Sequence, residues 1–68
     1  MLKAGQKYRH YKGNEYEILC LAIDHDTDKL LVIYQDTHNV SKILARSVED
    51  FTSPVKIDGI EKARYVQL

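Results

Sequence analysis

Between positions 7 and 24 the chain reads KYRHYKGNEYEILCLAID. Gly13 and Asn14 both tolerate the positive φ angles that a tight hairpin turn requires, so the chain is expected to reverse there. The segments on either side are rich in tyrosine and isoleucine, which suit a pleated sheet. This stretch therefore predicts two antiparallel strands, over residues 7–11 and 15–24.

Further turn signals follow at short intervals, and each separates two strand-like runs. The predicted turns are 24–28, 36–39 and Asp58-Gly59, and the predicted strands are 30–34, 54–57 and 63–67. The last two strands are expected to form a final hairpin, because Asp-Gly is a strong hairpin signal. Five or six short antiparallel strands without a long helix predict one all-β domain over residues 1–68, an SH3-like barrel that is closed or half-closed.

Segment 41–51 allows two interpretations. Its apolar residues lie at helical spacing, which favours a helix capped by Ser41. Alternatively, a strand over 40–45 is followed by a short helical turn that begins at Ser47, where Ser47 and Asp50 imitate a capping box. We favour the strand and turn before the last hairpin, because a ten-residue helix would leave the sheet one strand short.

The composition is that of a globular protein, with 44% hydrophobic and 29% charged residues and a net charge of zero. A neutral protein has no overall attraction for nucleic acid, although residues 1–12 carry four cations and no acid and could form a local basic patch. The longest apolar run has six residues, too short to cross a membrane, and no apolar leader precedes the first strand. We therefore expect a cytoplasmic protein that does not bind membranes.

The single cysteine, Cys20, lies in the apolar run 18–23, so no intrachain disulfide can form. This run is apolar on both faces, which is typical of a strand that bends across a small barrel. We expect Cys20 to be a reduced thiol buried in the core.

Motifs for catalysis or metal binding are not found. Asp24, Asp26 and Asp28 resemble the start of a calcium loop, but Lys29 and Gln35 stand where that loop needs glycine and glutamate. The three histidines lack metal-ligand spacing, the serines lack a nucleophile-elbow context, and there is no phosphate-binding loop. We predict that the protein is not an enzyme and has no cofactor or metal.

The first predicted strand interleaves aromatic and basic residues. Its alternation turns Tyr8 and His10 to one face, and Lys7, Arg9 and Tyr11 to the other. Such a pattern suits single-stranded RNA, because bases stack on rings while cations follow the phosphates. The more ordinary interpretation is that the tyrosines are half-buried and the cations are solvated charges on an edge strand.

The same segment resembles the opening of a bacterial family known as Domain of Unknown Function 1653, G-x-Y-x-H-Y-K-G-x-x-Y. This chain has Gly5, Tyr8, His10, Tyr11, Lys12, Gly13 and Tyr16 in those places. The likeness continues along the chain. His25 looks like part of the family's second turn, and Val32-Ile33-Tyr34 looks like its V-V-Y strand. Arg46 and Phe51 look like the ends of its W-V-R-P-x-x-M-F stretch, residues 55–59 like its V-x-V-D-G hairpin, and Arg64-Tyr65 like its closing R-F. It departs at Leu44, Ser47 and Gln35, where the family usually has Trp, Pro and Arg.

The resemblance implies an SH3-like barrel in a small bacterial cytosolic protein, with no established activity and no catalytic residues to transfer. Three functions remain open. A module that binds a protein or peptide ranks first, a single-stranded RNA binder second, and an enzyme with His10 as general base third. The chain is expected to be a monomer or a homodimer. The candidate binding residues are Lys7, Tyr8, Arg9, His10, Tyr11, Lys12, Tyr16, Tyr34 and Arg46.

Overall fold

A computed structural model describes all residues, Met1–Leu68. It contains seven strands and one short helix. In chain order these are β1 (Lys7–His10), β2 (Glu15–Ile23), β3 (Leu30–Asp36), β4 (Asn39–Ser47), α1 (Val48–Thr52), β5 (Pro54–Ile57), β6 (Ile60–Ala63) and β7 (Tyr65–Gln67). The prediction of a mostly β, antiparallel protein is confirmed.

The first hairpin forms where the sequence predicts it. β1 and β2 pair antiparallel, with Tyr8 opposite Tyr16. Gly13 adopts a φ of 108°, which a residue with a Cβ rarely adopts, and its N–H donates to the carbonyl of His10 over 2.8 Å. The turn thereby fixes the register of the two strands.

Segment 41–51 forms the predicted strand and helical turn. β4 pairs along β3 and ends at Ser47, whose side-chain oxygen caps α1 by accepting the N–H of Asp50 over 3.1 Å. The cap satisfies one of the free N–H groups of the first helical turn. The helix then places Phe51 over the sheet, where this ring is 2% exposed.

The predicted final hairpin is correct in its turn and wrong in its second strand. Asp58 and Gly59 have φ angles of 51° and 79°, and this tight turn pairs β5 with β6. The pairing ends where Pro54 faces Ala63, because proline has no N–H to extend the ladder. The next residues form β7, which pairs with β1 instead, so the chain has seven strands rather than five or six.

The main sheet is open. Its strand order is β4-β3-β2-β1-β7, while β5 and β6 form a separate two-stranded ribbon. β4 and β7 are therefore the two edges, and no pairing joins them. These pairings do not confirm the expected closed barrel.

The core lies on the inner face of β2 and β3. Tyr16, Ile18, Val32 and Tyr34 alternate inward along these strands, and Phe51 covers them from α1. Three of these five buried side chains are aromatic, and rings contribute large buried areas. Aromatic rings thus make up most of the small core, and Phe51 covers it from the helix.

The prediction that Cys20 is buried is wrong, because its thiol is free and exposed. The pairing of β2 with β3 shifts register between Ile18 and Cys20, which is the mark of a β-bulge. Beyond the bulge the β2–β3 hairpin extends past the core, and Ile23 at its end is 69% exposed. The apolar run is therefore not covered on both faces.

Candidate binding site

β1 shows the predicted alternation over residues 7–10, but it ends at His10. Tyr11 therefore lies in the turn, where its ring packs against that of His10 instead of continuing the face of Lys7 and Arg9. Tyr8 and His10 are half-buried on the inner face, whereas Lys7 and Arg9 are exposed on the outer face. The ring of Tyr8 packs edge-on against Phe51, with centroids 5.3 Å apart, so it belongs to the border of the core. Lys7 lies opposite Glu17 in the β1–β2 pair and forms no ion pair with it, whereas Arg9 is paired.

Arg9 forms the one side-chain ion pair of the structure. Its Nη2 lies 2.9 Å from Oε2 of Glu15, directly across the β1–β2 pair. Both side chains are accessible to water, so the pair contributes little to stability. It does neutralise the charge of Arg9 toward a ligand.

Tyr16 and Tyr34 lie in the core rather than on a surface. They are 8% and 3% exposed, and their rings meet edge to face at 5.1 Å. The hydroxyl of Tyr34 shares a hydrogen bond of 2.9 Å with the hydroxyl of Tyr65. Of the candidate tyrosines, Tyr11 has the accessible ring, at 39% exposure.

His10 is the centre of the arrangement. Its ring lies 4.3 Å from that of Tyr11 and 5.0 Å from that of Tyr65, its partner across the β1–β7 pair. Its Nδ1 accepts the backbone N–H of Lys12 over 3.1 Å, which places the proton of the neutral ring on Nε2. The ammonium of Lys12 lies 5.8 Å from the centroid of the Tyr11 ring.

Three positive charges act on this histidine. Partial burial lowers the pKa of His10 below 6.5, and the charges of Lys12, Arg46 and Arg64 lower it further. No carboxylate opposes them. We call His10, Lys12, Arg46 and Arg64 the basic cluster.

The two arginines of the basic cluster come from distant segments. Arg46 lies on β4 opposite the buried Val32, so it shares the inner face of the sheet and is half-buried there. Arg64 links β6 to β7, and its carbonyl accepts the N–H of Tyr11 over 3.0 Å. The Nε of Arg64 is buried and has no hydrogen-bond partner, which costs about 1–3 kcal/mol.

Tyr65 joins the site to the core. Burial and the hydrogen bond with Tyr34 raise the pKa of Tyr65 well above 10. Its ring stacks on Phe51 at 3.9 Å, so the basic cluster borders directly on the core. Rigid neighbours hold the site in place.

Sequence reasoning found His10, Lys12 and Arg46 but did not select Arg64 or Tyr65 as binding residues. Nothing in the local pattern marks these two, since they approach His10 only through the pairing of β1 with β7. The available signal was the match of Arg64-Tyr65 to the R-F that closes the resembled family's pattern.

The other segments considered for chemistry lie apart from the basic cluster. The turn of residues 24–28 contains its own hydrogen bond, in which Oδ1 of Asp24 accepts the N–H of Asp26 over 2.9 Å. His25 and His38 are exposed. No three histidine, cysteine, aspartate or glutamate residues come together as a metal site.

An apolar groove of about 470 Å³ opens on the inner side of the fold. Its lining is Met1, Leu2, Tyr8, Leu21, Leu30, Val48 and Thr52. Of the candidate binding residues it includes only Tyr8. The chain has no helix with the length and hydrophobicity that a membrane crossing demands.

The fold and the site together define a small antiparallel β-sheet domain with a cationic and aromatic surface beside one sheet edge. The sequence profile of a family described as "Protein of unknown function (DUF1653)" matches residues 6–67. The chain therefore belongs to the DUF1653 family, and the resemblance seen in the sequence is confirmed.

A crystal structure of a DUF1653 protein from Bordetella bronchiseptica is similar to this one. The TM-score is 0.81 at 26% sequence identity, and the alignment covers 98% of this chain and 87% of the other. No curated protein matches the chain. The comparisons thus support the fold and the family and name no ligand.

Proposed function

We propose that this protein is a non-catalytic binding module for a protein or peptide partner, which it holds at the basic cluster and the exposed ring of Tyr11. One observation carries the proposal. Arg46 and Arg64 are half-buried beside His10 with no carboxylate in ion-pair distance. A guanidinium that no carboxylate occupies can donate to the oxygens of another molecule.

The neighbouring sheet edge favours an extended peptide. β7 is an edge strand, and Tyr65 at its start packs against His10. A peptide that pairs with the free side of β7 would gain main-chain hydrogen bonds, while the basic cluster would select its side chains. Tyr11 adds an exposed ring for stacking or apolar contact.

The geometry lends less support to the alternative, single-stranded RNA. A base platform needs several accessible rings. Tyr16 and Tyr34 are buried, and the charge of Arg9 is paired with Glu15. One accessible ring and a neutral protein fit a peptide better than a run of bases.

We also propose that the sheet is a half-open, SH3-like barrel. Tyr34 and Tyr65 belong to β3 and β7, which are three strand positions apart, a separation of about 14 Å in a flat sheet. Their hydroxyl oxygens are 2.9 Å apart. A curled sheet favours this contact, because curling brings β3 and β7 closer together than a flat sheet does. The free thiol of Cys20 is consistent with a cytoplasmic location, where thiols stay reduced.

A peptide-display selection on the purified domain tests the binding function. Peptides that are enriched should bind the wild type, and Lys12→Gln should weaken them about 2–5-fold, the worth of one accessible charge pair. Tyr11→Ala should weaken them as well. Lys62→Gln is the matched control, because it removes the same charge from an exposed position on β6.

An absence of enriched peptides would contradict the proposal. Equal losses with Lys12→Gln and Lys62→Gln would place the binding surface elsewhere. Mixed single-stranded RNA is titrated in parallel. If RNA binds with an affinity that falls steeply with salt while peptides do not bind, the alternative function is the correct one.

A further inference from the structure

The basic cluster has an unbalanced charge. Lys12 donates its backbone N–H to His10, Arg64 precedes Tyr65, which lies opposite His10 across the β1–β7 pair, and Arg46 lies on the inner face of β4. Their three formal positive charges act on one histidine. Two acids at the ends of β2 and β3 are engaged elsewhere. Glu15 pairs with Arg9, and the buried Asp36 accepts the N–H groups of the β3–β4 turn.

The same residues offer unused hydrogen-bond donors. The Nε of Arg64 has no acceptor, and Arg46 has no carboxylate partner although it faces the inner side of the sheet. His10 accepts at Nδ1 and so presents its Nε2–H. Guanidinium groups donate in a fork that matches the oxygens of an oxyanion.

We infer that the basic cluster is a subsite for a doubly charged oxyanion of the phosphate type. A dianion offsets more of the three positive charges than a single carboxylate does. It also offers more acceptor oxygens to the two arginines and His10. This inference rests on the proposed function, since it names the group by which a peptide partner is recognised.

Anion binding must be linked to protonation of His10. The titratable and charged groups that face His10 are Lys12 and Tyr11 on its own side, Arg46 from β4, and Arg64 and Tyr65 at β7. All the charged ones are cations, which oppose a further proton on the imidazole. A bound dianion offsets the repulsion between these cations and the added proton, so it favours protonation of His10. By reciprocity, the dianion binds more tightly when His10 is protonated.

NMR titration of the His10 ring provides the test. The probe is sodium sulfate, which remains a dianion across the titration, compared with sodium chloride at the same ionic strength. In the wild type and in Lys62→Gln, sulfate should raise the pKa of His10 by about one unit, a tenfold change in its protonation constant. In Arg46→Gln the increment from sulfate should largely disappear.

Equal His10 titrations in sulfate and chloride would overturn the inference. An equal increment in the wild type and Arg46→Gln would do so as well. If Arg46→Gln fails to fold, Lys12→Gln replaces it, because the backbone N–H that holds Nδ1 remains. In either variant the sulfate increment is compared with that variant's own titration in chloride.

A second experiment distinguishes failure of this inference from failure of the proposed function. It also distinguishes the two sources of such an anion, a phosphorylated partner and a free anion. A selected peptide is prepared with serine and with phosphoserine, and inorganic phosphate is titrated alone. Tighter binding of the phosphoserine peptide supports a phosphorylated partner, whereas binding of inorganic phosphate without a peptide effect supports a free anion. If peptides bind and neither sulfate nor phosphate acts at His10, the module stands and the subsite is refuted.

Discussion

Replacing Phe51 with alanine removes the ring that covers the open sheet. The side chain is 2% exposed and contacts three other rings. It stacks on Tyr65 at 3.9 Å with an interplanar angle of 6°, and it meets Tyr8 and Tyr34 edge-on, each at 5.3 Å. No other residue of the five-residue helix is buried.

The expected loss is large relative to the whole stability. Truncation of a buried phenylalanine to alanine costs about 3–5 kcal/mol. A chain of this length has a free energy of unfolding of about 3–10 kcal/mol. Phe51→Ala should therefore lose about a third of the stability or more, and Phe51→Leu, which leaves a smaller void, about 1–2 kcal/mol.

Urea unfolding followed by circular dichroism measures both variants. Glu49→Ala is the control, because Glu49 lies on the same helix but is exposed, and it should change stability by less than about 0.5 kcal/mol. If Phe51→Ala does not fold at all, Phe51→Leu keeps the comparison quantitative. A loss below about 1 kcal/mol in Phe51→Ala would refute the view that this ring holds the open sheet together.

Three further predictions concern single contacts. Because the pKa of folded His10 lies below the unfolded value of 6.5, the unfolded chain takes up the proton first. Stability, measured as the urea midpoint, should thus fall as pH drops below about 6.5, and the fall should be smaller in His10→Gln. Wild-type and His10→Gln midpoints that fall in parallel with pH would contradict this prediction. Tyr34→Phe removes the hydrogen bond to Tyr65, so it should lower the free energy of unfolding by about 1 kcal/mol. It should also lower the pKa of Tyr65 in an alkaline absorbance titration, and an unchanged pKa would contradict this. Ser47→Ala should lower the stability by about 1 kcal/mol in thermal unfolding, and Ser47→Asp by much less, because aspartate also caps helices. Equal losses in the two variants would show that the cap does not stabilise the helix.

Local patterns predicted the local structure well. The glycine at the first turn, the Asp58-Gly59 pair and the cap at Ser47 each have a short-range physical cause, and each occurs where expected. The burial of Cys20 was predicted wrongly because a β-bulge depends on the pairing of two strands. Apolar composition alone does not reveal where a core ends.

The candidate site was predicted in part for the same reason. His10 and Lys12 lie in one short motif, and their aromatic and basic character is visible in the sequence. Alternation could not show that the rings of Tyr16 and Tyr34 are buried, since tyrosine suits both faces of a sheet. Arg64 joins the site through a strand pairing across most of the chain, which no local pattern encodes.

The pairing of β7 with β1 also has a consequence for biosynthesis. Tyr8 pairs with Gln67, so synthesis must pass residue 67 before the sheet is complete. Until then a nascent chain leaves one edge of β1 bare and Phe51 without its stacking partner. Such edges invite pairing between chains. The segment that carries this bare edge, residues 1–12, has four cations and no acid, and this charge would keep neighbouring nascent chains apart by mutual repulsion.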